Sequence, residues 1–408
     1  MWTGILSRLL RQLIRRGSLR LVFAEGTEQQ FGDGAPPCVA VTLHDAGIVR
    51  KLVINPYLYL GEGYTDGRIT IEGDDLHGLL ELALTNIESG NERGWYSLRK
   101  RLRASLRAVQ QFNPLGRARQ NVAHHYDLSD DLYTLFLDPD RQYSCAYFRT
   151  RQDTLEQAQA QKKAHIAAKL LLRPGMRVLD IGCGWGGMAL TLAREHGVHV
   201  TGITLSERQH RMATDRAAGA GLGPDRVTFA LRDYRAMTGR FDRIVSVGMF
   251  EHVGAPHFHT YFNKVQSLLE PDGVALIHTI GRMDPPGATN PWIAKYIFPG
   301  GYVPAMSEVL AAIERSALWT TDVEIWRLHY ALTLRHWHDR FVANQHKLGD
   351  GHDARFSRMW RYYLTASEAA FRHSGQVVFQ FQLTRDRHAV PLTRDYLYAS
   401  AGARAAAE

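Results

Sequence analysis

The residues best suited to bind a ligand form a glycine-rich turn. The segment 177–187, Arg-Val-Leu-Asp-Ile-Gly-Cys-Gly-Trp-Gly-Gly, begins with a short apolar run and leads into a helical pattern at 188–194. Glycines let the backbone approach a ligand closely, and the first turn of a helix presents N–H groups that have no partner within the helix. The order strand, tight turn, helix therefore predicts a site for a carboxylate or phosphate group.

Two kinds of ligand are compatible with this turn. Gly182, Gly184 and Gly187 fit the dinucleotide pattern G-x-G-x-x-G, which an acidic residue that binds the ribose should follow about 20 residues later. Here the next predicted strand, 199–206, ends in hydroxyl and apolar residues instead. With Asp180 directly before the glycines, the segment resembles the S-adenosylmethionine (SAM) fingerprint of class I methyltransferases. SAM is therefore favoured over NAD, and an NAD-dependent oxidoreductase is the alternative.

Strands and helices alternate around the turn, which predicts a parallel, doubly wound sheet. The predicted strands are 177–181, 199–203, 227–230, 242–247 and 273–279, and the predicted helices are 153–172, 187–196, 206–220 and 257–270. In such a sheet, ligands bind outside the carboxyl ends of the strands. Glu251 and His252 come just after the fourth strand, and His278 comes at the end of the fifth, so we expect all three near the ligand.

Two consecutive domains are predicted, over 1–115 and 116–408. In the first, short β-branched runs predict strands, and Asp74 begins a helix with acids in its first turn. These strands are 19–23, 39–43 and 48–54. The result is a small α+β domain in which no residue looks catalytic. A basic helical connector, 93–119, ends it.

Further motifs surround the predicted sheet edge. They are Tyr-Ser-Cys-Ala-Tyr-Phe at 143–148, Asp-Ile-Gly-Cys-Gly-Trp-Gly at 180–186, Phe-Glu-His-Val-Gly at 250–254, His-Thr-Ile at 278–280, Tyr-Ile-Phe-Pro-Gly-Gly at 296–301 and His-Tyr-x-x-Thr-Leu at 329–334. In order and spacing they resemble the cyclopropane-fatty-acyl-phospholipid synthases and the related mycolic-acid cyclopropane synthases. The resemblance covers about 120–390. The N-terminal domain matches the phospholipid branch, because the mycolic enzymes lack it.

This resemblance implies a Rossmann-like class I methyltransferase fold and a bicarbonate ion beside the SAM methyl group. Carried over to this sequence, the ion would contact the backbone of Cys145 and Ile280 and the side chains of Glu251, His278 and Tyr330. An alkene is a weak nucleophile, so the methyl sulfonium must be held in line in a dry pocket. Methyl transfer leaves a carbocation from which a fixed weak base can remove a proton.

The implied activity is transfer of a methyl(ene) group from SAM to the double bond of an unsaturated phospholipid acyl chain, giving a cyclopropane. C-methylation of the chain without ring closure is the alternative. The implied SAM contacts are Tyr143, Ser144, Asp180, Gly182, Gly184, Gly186, Thr204, Gln209, Asp233 and Tyr234. Aromatic rings that could stabilise the cation through their π faces are Tyr126, Tyr143, Tyr261, Trp292 and Tyr296.

Each assignment has a structural alternative. Glu251 and His278 could form a buried pair, and Cys145 could be an inert small residue, since no neighbouring motif supplies a base for a nucleophile. Core packing is the alternative for Tyr330, Trp292, Tyr296 and Phe298. The histidine pairs that resemble metal ligands are His257/His259 and His336/His338. Because residues i and i+2 of a helix face apart, we predict no metal site.

Charge and composition indicate what kind of partner the protein binds. The net charge is +8 and the pI about 9.4, which favours an anionic partner. A basic amphipathic first helix fits an anionic phospholipid surface; its arginines are Arg8, Arg11, Arg15, Arg16 and Arg20. Solvated arginines on an ordinary helix are the alternative, and no motif predicts nucleic-acid binding.

The same features suggest a location. Three cysteines form no zinc spacing or disulfide framework, the N-terminus lacks a signal peptide, and the apolar runs are too short to span a membrane. We therefore expect a cytoplasmic protein, peripherally associated with the inner face of the membrane. The resemblance also implies a homodimer. A SAM-binding protein without turnover and a small-molecule N- or O-methyltransferase are disfavoured, because the five implied bicarbonate positions are all present.

Overall fold

The computed structural model describes residues 1–87, 130–348 and 353–398. The helices are α1 Trp2–Leu13, α2 Ala46–Ile54, α3 Pro56–Thr65, α4 Leu76–Asn86, α5 Asp130–Phe136, α6 Leu155–Leu170, α7 Gly187–His196, α8 Glu207–Gly219, α9 Phe258–Leu268, α10 Pro291–Tyr296, α11 Met306–Glu314, α12 His329–Asn344 and α13 Ala354–His373. The strands are β1 Ser18–Val22, β2 Glu28–Gly32, β3 Cys38–Leu43, β4 Ile69–Ile71, β5 Arg177–Ile181, β6 His199–Thr204, β7 Val227–Leu231, β8 Phe241–Val247, β9 Leu269–Arg282, β10 Trp319–Trp326 and β11 Gln376–Thr384.

The chain divides into two compact units, and neither is continuous in sequence. The first takes its described residues from Met1–Arg107, Gly287–Pro299 and Ala331–Gln376, and the second from Ala108–Pro286, Gly300–Tyr330 and Val377–Glu408. The predicted division between 115 and 116 would place the two later segments of the first unit in the second domain. That boundary and the whole basic connector, 93–119, lie outside the described residues.

The first unit contains a four-stranded sheet of order β2-β1-β3-β4. β1 pairs antiparallel with β2 and parallel with β3, and β3 pairs antiparallel with β4. Alternate residues of β1 and β3, among them Leu19, Leu21, Val39 and Val41, are buried, as expected for strands with one face on a core. The predicted α+β character of this region is confirmed.

One predicted strand of this unit is wrong. Residues 48–54 are β-branched, but they belong to helix α2. The side chain of Asp45 caps this helix by accepting the Gly47 N–H, and Ile48 and Val49 are buried. The cap and the burial of one helix face outweigh the modest β preference of the branched residues.

The second unit contains a seven-stranded sheet of order β10-β11-β9-β8-β5-β6-β7. β5 pairs parallel with β6 and β8, β6 with β7, and β8 with β9, whereas β10 and β11 pair antiparallel. The predicted doubly wound α/β class is therefore confirmed. Because the chain leaves β5 toward β6 on one side and reaches β8 on the other, the carboxyl end of β5 is a topological switch point.

Both faces of this sheet are covered by apolar clusters. Val178 of β5 packs into one cluster and Leu179 into the other, as the alternation of side chains along a strand requires. The long predicted helix is α6, which begins at a capping box formed by Thr154 and Gln157. Of the helices that the structure describes, none is long and apolar enough to cross a lipid bilayer.

Candidate active site

The glycine-rich turn has the predicted strand–turn–helix form. Gly182, Gly184 and Gly186 all have positive φ, at 83°, 54° and 82°, a conformation that glycine adopts at little cost. A Cβ atom at Gly182 would lie 2.8 Å from the Cβ of Met249, and at Gly186 it would lie 2.7 Å from the Phe229 ring. Glycine is therefore required at both positions by backbone conformation and by space.

A cavity opens at the carboxyl ends of β5, β6 and β8. Its walls include most of the predicted SAM contacts of this sheet edge, namely Gly182, Thr204, Gln209, Asp233 and Tyr234. Met249 and His252 also line it. Burial lowers the pKa of His252 to about 4, so this ring is neutral at physiological pH. The position matches the crevice in which doubly wound sheets bind their ligands.

Hydrogen bonds fix the polar groups on one side of this cavity. Thr204 donates from Oγ1 to Oε1 of Gln209 over 2.8 Å, and the Gln209 N–H is capped by the hydroxyl of Ser206. Asp233 accepts from the backbone N–H, Nε and Nη2 of Arg235 at 2.8–2.9 Å. These residues are held in place before any ligand is bound.

Asp180, the residue before the last of β5, carries a buried carboxyl group. Burial raises the pKa of Asp180 to about 7, against the opposing influence of the Lys162 ammonium. Its Oδ2 atom has no hydrogen-bond partner among the described residues. A buried carboxylate without a full set of donors favours a cationic or hydrogen-bonding ligand, and SAM carries both a sulfonium and an amino group.

The segment 142–148, which carries Tyr143, Ser144 and Cys145, is held by helix α6. Gln159 donates from Nε2 to the carbonyl oxygens of Gln142 and Ser144, over 3.1 and 3.0 Å. Lys162, which is wholly buried, donates from Nζ to Oε1 of Gln142 and to Oγ of Ser144, over 2.6 and 2.9 Å. Burial lowers the pKa of Lys162 to about 8.

Gln159 and Lys162 were not predicted as site residues, because the sequence of α6 resembles that of an ordinary surface helix. The available signal was their spacing of three residues, which puts both on one face of the helix.

Tyr143 lies in an aromatic cluster that reaches the glycine-rich turn. Its ring packs edge-on against Tyr133, with the centroids 5.3 Å apart, and Tyr133 packs in the same way against Trp185, at 4.9 Å. Phe136 completes the cluster at 6.1 Å from Tyr143. The structure therefore brings the predicted SAM residue Tyr143 close to Trp185 within the turn.

Glu251 and Ile280 are joined by a hydrogen bond between the ends of two neighbouring strands. The Ile280 N–H donates to Oε1 of Glu251 over 2.6 Å. Burial raises the pKa of Glu251 to about 7, although the Ile280 N–H lowers it. Oε2 of Glu251 is buried and has no hydrogen-bond partner among the described residues. The predicted contact between the Ile280 backbone and bicarbonate stays a prediction, since the N–H of Ile280 is engaged by Glu251 here.

His278 is buried at the carboxyl end of β9. Burial lowers the pKa of His278 well below its usual value, so the ring is neutral. Nε2 of Gln380 lies 3.0 Å from Nδ1 of His278. Because an amide nitrogen only donates, Nδ1 accepts and the ring proton is on Nε2, which can then donate to a ligand.

Cys145 and Tyr330 lie in the same unit as Glu251 and His278. Cys145 is wholly buried, and its thiol donates to the carbonyl of Ala146 over 3.3 Å. Tyr330 is half-buried at the second residue of α12, a few residues after β10. The roles of both side chains stay predictions.

The predicted cation-stabilising rings belong to different units. Tyr261 is buried in the second unit against Tyr234 and Phe250, with centroids 5.2 and 5.1 Å away. Trp292 and Tyr296 belong to the first unit. There, Trp292 packs against Tyr362 at 4.6 Å and Tyr296 donates to Glu62 over 2.9 Å. Tyr126 lies outside the described residues.

Within 1–87, 130–348 and 353–398, no group of three or more His, Cys, Asp or Glu side chains is arranged to hold a metal ion.

Comparison with known proteins identifies the family. Residues 114–381 match the family model described as mycolic acid cyclopropane synthetase. The chain belongs to this family. Residues 5–93 match a second model, described only as a domain of unknown function.

Two relatives illustrate the range of the family. The Escherichia coli cyclopropane-fatty-acyl-phospholipid synthase is 44% identical over 261 residues, which are 64% of this chain and 66% of the relative, slightly less than two thirds of it. The Mycobacterium tuberculosis tuberculostearic acid methyltransferase is 35% identical over 396 residues, 94% of this chain and 91% of the relative.

A solved structure extends the comparison to the fold. The mycolic acid cyclopropane synthase CmaA1, complexed with S-adenosylhomocysteine (SAH) and CTAB, is 33% identical and superposes with a TM-score of 0.61; the match covers 67% of this chain and 99% of that protein. The predicted family and the predicted class I methyltransferase fold are confirmed by these matches.

Proposed function

We propose that this protein transfers a methyl(ene) group from SAM to the double bond of an unsaturated phospholipid acyl chain and closes a cyclopropane ring. The C–S bond of the sulfonium breaks as a bond forms from the methyl carbon to one alkene carbon, which leaves a cation on the other. Loss of a proton from the new methyl group closes the ring. Bicarbonate, when bound, would supply the base for this proton.

The observation that carries the proposal is Oε2 of Glu251, which is buried and has no hydrogen-bond partner within the part of the chain that the structure describes. An ionised Glu251 accepts a hydrogen bond at this atom, and the hydroxyl of bicarbonate is a donor of the right kind. His278, with its proton on Nε2, can donate to a negatively charged oxygen of the same ion. A hydrogen-bond acceptor beside a neutral donor therefore fits an ion that has both a hydroxyl and an anionic oxygen.

The SAM end of the site is supported by a separate set of groups. The positive-φ glycines let the protein backbone approach a ligand closely, Asp180 offers a buried carboxyl group, and Lys162 holds the hydroxyl of Ser144. Burial of the Asp180 carboxylate strengthens its attraction to the sulfonium, because the surrounding dielectric is low. With SAM held by these groups, Glu251 and His278 are available for the step in which the new methyl group loses a proton.

Incubation of the protein with SAM and vesicles of monounsaturated phospholipid tests the proposal. We expect each acyl chain to gain one CH₂ in the mass spectrum and to lose its olefinic proton signals by NMR. The same mass gain with an olefinic or methylene signal retained would overturn ring closure. Repeating the assay after removal of bicarbonate should lower the rate, and an unchanged rate would overturn the role of the ion.

C-methylation without ring closure is the second candidate. A relative matched over nearly its whole length, the tuberculostearic acid methyltransferase, is named for methyl transfer rather than cyclopropanation. Both outcomes begin with the same cation, and the position of the base decides which proton leaves. The NMR experiment above separates the two candidates.

We also propose that the acyl substrate is reached from an anionic membrane surface through helix α1. Arg8 and Arg11 on the helix and Arg15 and Arg16 just after it are exposed, whereas Leu6 of the helix is buried. The prediction that Arg15, Arg16 and Arg20 belong to the first helix is wrong, because α1 ends at Leu13 and Arg20 lies in β1. Because part of the apolar face is covered, binding through this region would be mainly electrostatic.

A further inference from the structure

His329 connects the segment that carries Cys145 to the beginning of helix α12. The backbone N–H of Phe148 donates to Nδ1 of His329 over 3.1 Å. The imidazole ring also stacks on Tyr147, with the centroids 4.9 Å apart and the planes 16° from parallel. Tyr330 is the next residue in the chain. The side chain of His329 thus contacts two of the residues that follow Cys145, and Tyr330 is its neighbour in the chain.

The direction of this hydrogen bond determines the state of the ring. A backbone N–H can only donate, so Nδ1 of His329 must carry a lone pair, and the ring is neutral with its proton on Nε2. Burial lowers the pKa of His329, as do the charges of His165 and Arg327, whereas Glu324 raises it. Trp326 of β10 packs on the ring at 5.5 Å. A doubly protonated ring would place N–H against N–H and break the bond to Phe148.

The rest of the segment is fixed from another direction. Gln159 of α6 holds the carbonyl of Ser144, and the Tyr147 N–H donates to the carbonyl of Ala158 over 3.0 Å. These contacts locate the segment relative to α6. The bond from Phe148 to His329 locates it relative to α12, so Cys145 lies on a stretch of backbone that is held to both helices.

We propose that His329 is a positioning residue, whose neutral ring ties Phe148 to the start of α12 and so sets the Cys145 backbone relative to the Tyr330 hydroxyl. This inference rests on the proposed function, in which Cys145 and Tyr330 contact the same bicarbonate ion. His329 itself contacts neither SAM nor the ion in this arrangement. Its loss affects the ion site through geometry.

Three variants separate the hydrogen bond from simple packing. His329→Phe keeps a stacking ring but removes the acceptor. His329→Asn removes the ring but keeps an acceptor oxygen at the position of Nδ1, and His329→Gln moves that acceptor one methylene further. For each, the turnover rate is measured against bicarbonate concentration, the SAM dissociation constant by calorimetry, and folding by thermal melting.

We expect the half-saturating bicarbonate concentration to rise about tenfold in His329→Phe and His329→Gln, the cost of a buried hydrogen bond left unmade. In His329→Asn it should stay within about threefold of the wild type, and SAM binding should change less than about twofold in all three. Wild-type bicarbonate dependence in a folded His329→Phe or His329→Gln protein would overturn the positioning role alone. A wild-type rate that does not depend on bicarbonate would overturn the proposed base and this inference together.

Discussion

Lys162 donates a hydrogen bond to the hydroxyl oxygen of Ser144 over 2.9 Å, from a position that solvent does not reach. An ammonium group is costly to bury unless it is paired and hydrogen-bonded. Here Gln142 supplies a second acceptor, and the nearby Asp138 and Asp140 raise the pKa of Lys162 against the effect of burial, which helps to keep it charged. The buried charge therefore fixes the segment that carries Ser144, a predicted SAM contact.

Lys162→Met tests this relationship. Methionine has nearly the same length but no charge or donor, so the side chains of Gln142 and Ser144 lose their shared partner. We expect the KM for SAM to rise about tenfold or more, with a smaller effect on kcat. Because the variant leaves the buried acceptors of Gln142 and Ser144 without their donor, the melting temperature should also fall, and SAM kinetics are therefore measured well below the melting transition. Lys347→Met, at an exposed position, is the matched control, and an unchanged KM for SAM in Lys162→Met would contradict the assignment.

Glu251→Gln tests the group next to Ile280. Glutamine keeps the size and can still accept the Ile280 N–H, but it cannot carry the charge that would accept the hydroxyl of bicarbonate. Turnover should fall about 10²-fold or more, the usual scale for loss of a proton-handling group. The SAM dissociation constant should stay within about twofold. The measurement is transfer of a labelled methyl group to phospholipid, with the exposed Glu195→Gln as control; wild-type turnover in Glu251→Gln would rule out the proposed role.

Asp180 should make SAM binding depend on pH. Its pKa is raised to about 7 by burial, so below pH 7 the carboxyl group is protonated and must lose its proton to attract the positively charged SAM. We expect the SAM dissociation constant to fall by up to about tenfold per pH unit as the pH rises toward 7, and to level off above it. In Asp180→Asn, calorimetric titrations from pH 5.5 to 7.5 should show weaker binding with little pH dependence. A wild-type constant that does not vary over this range would refute the link.

The same carboxyl group should affect the stability of the protein without SAM. Its pKa is about 7 in the folded state and 3.8 in the absence of such burial, so between these values the folded state binds the proton more tightly than the unfolded state. The free energy of unfolding should therefore fall as the pH rises from about 4 to about 7, by at most about 1.4 kcal/mol per pH unit from this group. Urea denaturation at pH 5.5 and 7.5 measures this, and Asp180→Asn should reduce the difference between the two pH values. An identical difference in both proteins would contradict the prediction.

The arginines of α1 and of the residues just after it should contribute to vesicle binding. Replacing Arg8, Arg11, Arg15 and Arg16 by Gln removes four exposed positive charges. Binding to vesicles that contain anionic lipid should weaken, each charge near such a surface being worth about 1 kcal/mol. The difference between the variant and the wild type should shrink at high salt because the charges are screened. Co-sedimentation measures it, and equal binding by both proteins at low salt would show that these arginines are merely solvated.

The strands of the seven-stranded sheet are predicted from the sequence better than those of the first unit, because their local sequence patterns are stronger. β5 and α7 were predicted with the bounds found in the structure, 177–181 and 187–196, because glycines with special backbone conformations mark the turn between them. β2 was missed because Phe31 is its one buried residue, so it has no alternating apolar pattern. Residues 48–54 were misassigned to a strand because this run is apolar and β-branched. The residue that indicates a helix, the N-cap Asp45, lies before the run.

Site residues that belong to sequence motifs were predicted. Residues on helices that hold those motifs in place were missed. Glu251 follows the end of β8, and His278 lies in β9 opposite Val247, the last residue of β8; the sequence pattern indicates both positions. Gln159, Lys162 and His329 act on the backbone and side chains of a segment that is distant in the chain, and such contacts leave no local pattern. His329 lies within a quoted motif, but only the structure identifies Phe148 as its partner.

The buried polar face of α6 limits how the length of this helix can change. Gln159, Lys162, His165 and Lys169 are all buried on it, and an α-helix advances about 100° per residue. One residue inserted between Gln159 and Lys162 would turn the later side chains away from their partners, or push the end of the helix out of register with β5. Substitutions on the exposed side of α6 can be absorbed, but an insertion or deletion within it cannot, so related chains that bind SAM in this way should keep the same number of residues between Gln159 and Lys169.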